Sequence, residues 1–498
     1  MNHSAEPGSA SDAHGIPSAA LRRSRPLTPE ALADLRLRRH WVITRRGDEI
    51  DHPWPRIDLT TDFVLHHHPD ARIHAGRTGD AGALTVGVAI STSATAQDLD
   101  RQLAALGTAE QDRVEQFLYD LCGTYVLLRY RPGEVALYTD PAGLMTVYRG
   151  NGRVASSPAL LGALHRDAAL DREFTFGPDN DWYPGTLTPF VGVVALPANH
   201  VLDLTTGSSS RTWPLAPIAA VSSEEGTQRI ASLLRTLAER VLERGPVICS
   251  LTGGKDSRVN LAALGDRHDE VEFFTIRANG IKTCDVEIPV DLARRFDLGH
   301  TVLDAGPPPP WLLELYDEIA AGLAIGGRRS IVEASSRIAG PDYIHLNGNL
   351  GGVTKSYFWH TRHPRRLRRR SLSKEFAHTS PRIEDALDGW LDTLPDLPPT
   401  TIYNLMYLEQ RAGRWAGVGE MASSLFYDSV TLLASREIID TVCALPVDVQ
   451  HGGRIPVDLV RQLWPELLDV PYCAVRRNWS TYVPRRVKTR LKAMTGHA

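Results

Sequence analysis

VICSLTGGKDSRVNLAAL, residues 247–264, decides how this chain is read. Val247, Ile248 and Cys249 form a short apolar run of the kind that makes a strand buried on both faces. After the glycines, Val259, Leu261 and Leu264 lie on a helix that Gly265 ends. Between strand and helix stand Thr252, Gly253, Gly254, Lys255, Asp256 and Ser257. The glycines let the backbone turn tightly and approach a ligand with no Cβ in the way. The free N–H groups and positive dipole end of the helix point at the same spot. Thr252 and Ser257 add hydroxyl donors, and Lys255 adds a mobile positive charge. It is the first lysine of the chain, which holds six in all and otherwise uses arginine. An ammonium is a compact point charge that suits a tight glycine turn, where the broad guanidinium fork does not. All of this favours a polyphosphate. Asp256 does not, unless a divalent cation stands between its carboxylate and the phosphates, so magnesium on Asp256 is expected. The plainer alternative, a strand–turn–helix with a surface lysine, leaves the agreement of so many neighbouring positions unexplained.

Working outward, residues 26–215 read as short strands broken by turns. LCGTYVLLRY (121–130), Pro132-Gly133 and EVALYTD (134–140) spell a β-hairpin. The texture changes near residue 216, where APIAAVSSEEG reads as a linker ending in a helix start at Ser222 or Ser223. Ile230, Leu233, Leu234, Leu237 and Val241 then recur at helical spacing. VEFFTI (271–276), HTVLD (300–304) and YIHLN (343–347) are further strands. They alternate with helices near 286–297, 311–323 and 329–338, which implies a parallel sheet of βαβ units. From about residue 400 onward the pattern is mostly helical. The expected fold is therefore a β-rich unit over 26–215 and an α/β unit over 222–498, after a Ser-, Ala-, Gly- and Pro-rich tail, 1–25, that reads as disordered. In an open parallel sheet a ligand sits beyond the carboxyl ends of the strands, where the glycine loop lies.

Hydrophobic content of 42%, charged content of 23% and a net charge of −4 fit an ordinary globular protein, with no global field favouring nucleic acid or anionic membrane. No apolar run approaches the roughly 18 residues that span a bilayer. The N-terminal stretch has no hydrophobic signal core. The five cysteines, Cys122, Cys249, Cys284, Cys443 and Cys473, are scattered without metal spacing and read as reduced thiols of a cytoplasmic protein. RHPRRLRRR (362–370) carries six arginines. Such a run is ordinarily a solvated face; the sharper reading is an arm over the site that contacts an anionic substrate, carrier or RNA.

The loop resembles the SGGxDS signature of the PP-loop ATP pyrophosphatase superfamily, whose members cleave ATP between the α and β phosphates. In asparagine synthetase relatives the position of Lys255 is usually leucine; lysine is more usual in RNA-thiolating and diphthamide branches. TYVLLRYRPGEVALYTDPAGLMTVYR, with Asp140, Gly143 and Tyr148, is similar to the end of a class II glutamine amidotransferase domain. Together these imply an asparagine synthetase-like chain, with an Ntn-type amidotransferase-like domain before a PP-loop synthetase domain. Amidotransferases of this class need an N-terminal cysteine as nucleophile. This sequence starts Met1-Asn2 and its first cysteine is Cys122. The domain therefore reads as degenerate, as in β-lactam and lasso-peptide macrolactam synthetases.

The resemblance implies an amide-forming ligase. A carboxylate, on a small molecule or peptide, would be adenylated by ATP and joined to an amine without glutamine hydrolysis. Ser250, Leu251, Thr252, Gly253, Gly254, Lys255, Asp256, Ser257, Ile276, Asn347, Gly348 and Asn349 would bind the nucleotide. Lys255 and Lys355 would be catalytic. In the family a second carboxylate ligand to magnesium follows the strand at 343–347; here that position falls on Gly352. Lys355, three residues on, could supply the missing positive charge. Arg277, Asp285 and Glu287 are further candidates. An RNA-modifying PP-loop enzyme and a non-catalytic scaffold are the alternatives.

Overall fold

A computed structural model describes residues 34–93, 95–173, 182–323, 326–338, 342–361, 363–367, 372–373 and 380–473. The tail 1–25 and most of the arginine run lie outside the described residues; Arg365 and Arg366 are exposed.

The first part of the chain builds two six-stranded antiparallel sheets. One runs in the order Val194–Ala195, Tyr148–Gly150, Arg153–Ala155, Trp41–Arg45, Phe63–His67, Arg56–Asp58. The other runs Ser209–Arg211, His200–Asp203, Glu134–Thr139, Leu121–Arg131, Ala81–Ser91, Ile73–Thr78. Trp41, Ile43 and Leu65 of the first meet Leu84, Val86, Val126, Leu128 and Leu137 of the second. On the far face of the second sheet, Tyr125, Leu127 and Ala136 pack under the helices Ala96–Leu106 and Gln111–Tyr119. Alternate residues of one strand thus face two cores, and for that reason LCGTYVLLRY shows no polar face. The hairpin pairs Leu121–Arg131 with Glu134–Thr139, and Gly133 takes φ +79° in its turn.

The helix Ser223–Leu242 opens the second part, its first turn capped by Ser222 Oγ, which accepts from Glu225 N at 3.2 Å. A five-stranded parallel sheet follows, ordered His300–Asp304, Val271–Arg277, Val247–Ser250, Ile344–Leu346, Asp428–Val430. The strand Val247–Ser250 pairs in parallel with Val271–Arg277 on one side, Val247 opposite Val271, and with Ile344–Leu346 on the other, Val247 opposite Ile344. Successive strands are added first on one side of it and then on the other, so the switch point of the sheet lies between Val247–Ser250 and Ile344–Leu346. The intervening helices span Lys255–Leu264, Cys284–Phe296, Pro310–Ala320 and Val332–Arg337. Past residue 400 the chain is mostly helical, as expected, and the strand Asp428–Val430 is an addition to that reading: it is three residues long and wholly buried, too short to show a period.

The two parts are locked together. A continuous helical run from Pro399 to Ser423 has a π-helical middle, Met406–Ala416. The turn after Asp140 lies directly on it. A Cβ at Gly413 would stand 2.5 Å from the Ala142 carbonyl oxygen, and one at Gly417 2.6 Å from that of Gly143. Asp140 is fully buried and accepts from the N–H groups of Ala142, Leu144 and Met145 at 2.8–3.0 Å. Burial pushes its carboxyl up to about 6, against those hydrogen bonds. Glu409, also fully buried, takes Arg211 in a bidentate grip at 2.8 Å for each contact and accepts from Trp390 Nε1 at 2.7 Å.

No helix among the described residues is long and apolar enough to cross a membrane.

Candidate functional site

At the switch point the loop 251–254 leaves one strand, and Asn347–Gly352 leaves its neighbour. Two strands that part to opposite sides open a crevice between their following loops. The helix Lys255–Leu264 starts directly after Gly254, which acts as its N-cap. Thr252 and Ser257 do not present free hydroxyls. Ser257 Oγ accepts from Thr252 N at 3.0 Å, and Thr252 Oγ1 accepts from Gly254 N at 3.2 Å. These contacts shape the turn, which the sequence alone had assigned to a ligand. Gly253 is required for a different reason than ligand approach. A Cβ there would lie 2.5 Å from the Cys284 carbonyl oxygen and 2.9 Å from Cys473 Cβ.

Those two cysteines are joined in a disulfide, with their Cα atoms 5.5 Å apart. The expectation of five reduced thiols is corrected for this pair. Their separation of 189 residues hides their proximity in the sequence. Cys473 N also donates to the Gly253 carbonyl at 2.8 Å, so the glycine loop is held from both flanks.

Asp256 and Lys355 meet. Lys355 Nζ donates to Asp256 Oδ2 at 2.5 Å. Lys255 Nζ donates to the Gly453 carbonyl at 2.7 Å. A Cβ on Gly453 would touch both lysine side chains, Lys355 Cγ at 3.4 Å and Lys255 Nζ at 3.5 Å. Burial first, then the neighbouring Lys355 charge, hold the Lys255 ammonium below its usual pKa, with Asp256 opposing them. Lys355 is therefore not a plain surface lysine. Gly351 and Gly348 allow the two loops to close: a Cβ at Gly351 would lie 2.1 Å from Asp256 Cγ, and one at Gly348 3.1 Å from Asp256 Cβ.

Beside this cluster opens a pocket of about 460 Å³. Of the expected binding residues, Ser250, Leu251, Thr252, Asp256, Ser257, Ile276, Asn347, Gly348 and Asn349 line it. Gly253, Gly254, Lys255 and Lys355 are not in its wall; they lie around Asp256, at its edge. Asp285 lines the pocket, Glu287 is exposed and outside it, and Arg277 turns away to pair with Asp304 at 2.9 Å. Leu251, Phe274, Ile276 and Ile281 make one wall apolar. A larger groove of about 560 Å³, between Gln111–Tyr119 and Arg436–Ala444, contains none of these residues.

The other end of the pocket was not legible in the sequence. Glu420 is 3% exposed and pairs with Arg328 at 2.5 Å. Asn347 Nδ2 donates to it at 3.3 Å, and Asn349 Nδ2 donates as well. Burial pulls the Glu420 carboxyl up, but Arg328 and the hydrogen bonds outweigh it, and the net shift is downward. His345 lies between Phe274 and Tyr427, and burial brings its pKa down to about 4, so it is neutral at pH 7. Only the residue types of Asn347 and Asn349 hinted at this end; Arg328, Glu420 and Tyr427 come from segments with no local signature.

Magnesium held by Asp256 does not fit these residues. One carboxylate oxygen carries the Lys355 ammonium and the other is buried against Gly351. Gly352, at the expected second ligand position, has its Cα against the Tyr407 ring, and its N–H donates to Tyr407 Oη at 3.3 Å.

No family model matches the chain, and no curated protein matches it. Among solved structures, one described as the allosteric regulatory enzyme of purine biosynthesis is 12% identical over 55% of this chain and 76% of that one, with a TM-score of 0.22. Glutamine phosphoribosylpyrophosphate amidotransferase from B. subtilis, complexed with ADP and GMP, is 11% identical over 65% of this chain and 73% of that one, also with a TM-score of 0.22. At that score neither likeness carries an argument about this chain.

Proposed function

We propose that this protein is an ATP-dependent, AMP-forming amide ligase. One observation carries the reading: a glycine loop opening a helix faces a second loop across a sheet switch point, with the Lys355 ammonium on the Asp256 carboxylate and that of Lys255 on the neighbouring Gly453 carbonyl. That cluster has a net positive charge and awaits an anion. The apolar wall of Leu251, Phe274 and Ile276 suits a nucleoside base. The end built from the Arg328–Glu420 pair, Asn347 and Asn349 is polar and suits the acyl substrate.

In the proposed reaction a substrate carboxylate oxygen attacks the α-phosphorus of ATP, the α–β bond breaks and pyrophosphate leaves. The amine then attacks the acyl carbon of the adenylate, loses a proton and displaces AMP. Orientation of both substrates in one crevice supplies much of the acceleration. Lys255 and Lys355 stand where charge grows on the leaving pyrophosphate. Thiol-based glutamine hydrolysis is not part of the scheme. Cys122, Cys249 and Cys443 are buried, and burial pushes the Cys249 and Cys443 thiols up to about 12. The remaining two cysteines are bonded to each other.

ATP–pyrophosphate exchange, screened against candidate carboxylates, tests the reading. AMP and pyrophosphate are the expected products, and ADP with phosphate as direct products would end it. Lys255→Leu should slow turnover roughly 10- to 100-fold, the worth of one charge-assisted contact of about 1.5–3 kcal/mol. Its effect on the Michaelis constant for ATP should be smaller, because the leaving group gains charge only as the bond breaks. Wild-type turnover in that variant would remove Lys255 from the chemistry.

A further inference from the structure

We infer that this site neutralises its polyphosphate with a lysine pair and has no protein-held divalent cation: Lys355 occupies the place at Asp256 that a metal ion would take. The inference rests on the polyphosphate reading above and adds how the charge is balanced.

The donor set argues for it first. Magnesium demands near-octahedral geometry at about 2.0–2.1 Å and keeps several waters, so it needs open space beside its carboxylate. Asp256 has none. Oδ2 is occupied by Lys355 Nζ at 2.5 Å. Oδ1 is buried without a hydrogen-bond partner among the described residues, and the backbone of Gly351 closes over it: a Cβ built there would lie 2.2 Å away. No second carboxylate helps. Glu420 is committed to Arg328 and to Asn349, and Gly352 carries no ligand. Among the described residues no group of three or more His, Cys, Asp or Glu side chains could hold a metal ion.

Charge argues for it second. One carboxylate with one divalent cation has a net charge of plus one. One carboxylate with two ammonium groups has the same. Lys255 and Lys355 converge on Gly453 and repel each other, and the single carboxylate between them does not offset both. The arrangement is stabilised when an anion arrives. Two lysines held by a carboxylate and a carbonyl are also prepositioned, so little reorganisation is needed on binding. An ammonium does this as a point charge; a guanidinium fork would not pass between Asp256 and Gly453 in the same way.

Calorimetric titration with inorganic pyrophosphate decides the matter, run in EDTA and again in excess magnesium. Manganese resonance on the same protein measures bound metal directly. For the wild-type protein, pyrophosphate affinity should differ by less than about threefold between the two conditions, and free manganese should not be depleted. Lys355→Met should weaken pyrophosphate in EDTA by about tenfold or more, as expected for one lost charge-assisted contact. Added magnesium should restore part of that loss, because Asp256 is then free to accept a cation. Wild-type binding that collapses in EDTA, with manganese captured by wild type and released by Asp256→Asn, overturns the inference and leaves the polyphosphate reading intact. Absence of pyrophosphate binding in both conditions overturns the polyphosphate reading itself. The wild-type comparison decides between these results even if the variants fail to fold.

Discussion

Gly351→Ala should lower turnover about 100-fold or more while leaving the protein folded. The new methyl would stand 2.1 Å from Asp256 Cγ, 2.2 Å from Oδ1 and 2.5 Å from Oδ2. No real Cβ tolerates such contacts, and the carboxylate is the part that can rotate away. Lys355 then loses its acceptor, and both charges leave their positions beside the glycine loop. Displacement of a positioned group by about 1 Å can cost on the order of 100-fold in rate. Backbone strain is not the cause, because Gly351 is not among the glycines with positive φ. The check is a double-mutant cycle in ATP–pyrophosphate exchange. In an Asp256→Ala background the clash disappears, and Gly351→Ala should add little. Near-wild-type exchange by Gly351→Ala alone would mean that the Asp256–Lys355 pair has no part in the chemistry.

Glu409→Ala should destabilise the protein by about 3–5 kcal/mol, the cost of leaving a buried partner uncompensated. The Arg211 side chain is 3% exposed and has Glu409 as its bidentate partner. Trp390 Nε1 and Asn199 Nδ2 would lose an acceptor as well. Since Arg211 ends the antiparallel sheets and Glu409 sits in the π-helical segment, the loss should appear as separation of the two parts during urea unfolding. Burial pulls the Glu409 carboxyl up, and Arg211 pulls it further down, so its folded pKa lies below the ordinary 4.5. A depressed carboxylate contributes stability that is complete above its unfolded pKa and is lost as pH falls through the folded one. The gap between wild type and Glu409→Ala should therefore be constant near neutrality and close below about pH 4.5. A gap under about 1 kcal/mol at pH 7 would show that the Arg211–Glu409 pair does not hold the two parts together.

The helix that begins at Ser222, the hairpin at Pro132-Gly133 and the strand–glycine turn–helix at 247–264 were legible because each is made by residues within about one helical turn or one strand of each other. Periodicity, caps and turn residues act at that range. The two antiparallel sheets were legible as texture, but not their order, since strand neighbours such as Trp41–Arg45 and Arg153–Ala155 are chosen by packing. The strand Asp428–Val430 escaped because three buried residues carry no period.

By itself the sequence determined which chemical groups stand at the glycine loop: a lysine, a carboxylate and a helix N-terminus, adjacent in the chain and therefore adjacent in space. Tertiary structure alone decided their partners. Lys355 is 99 residues from Asp256, Cys473 is 189 from Cys284, and Glu420 is 92 from Arg328. No local rule reaches so far. Those pairs exist because the 3-2-1-4-5 strand order brings the loop after Val247–Ser250 against the loop after Ile344–Leu346, and because the late helices close over both. That order also decides which side chain reaches Asp256, here the Lys355 ammonium, because a half-buried carboxylate favours a positively charged neighbour.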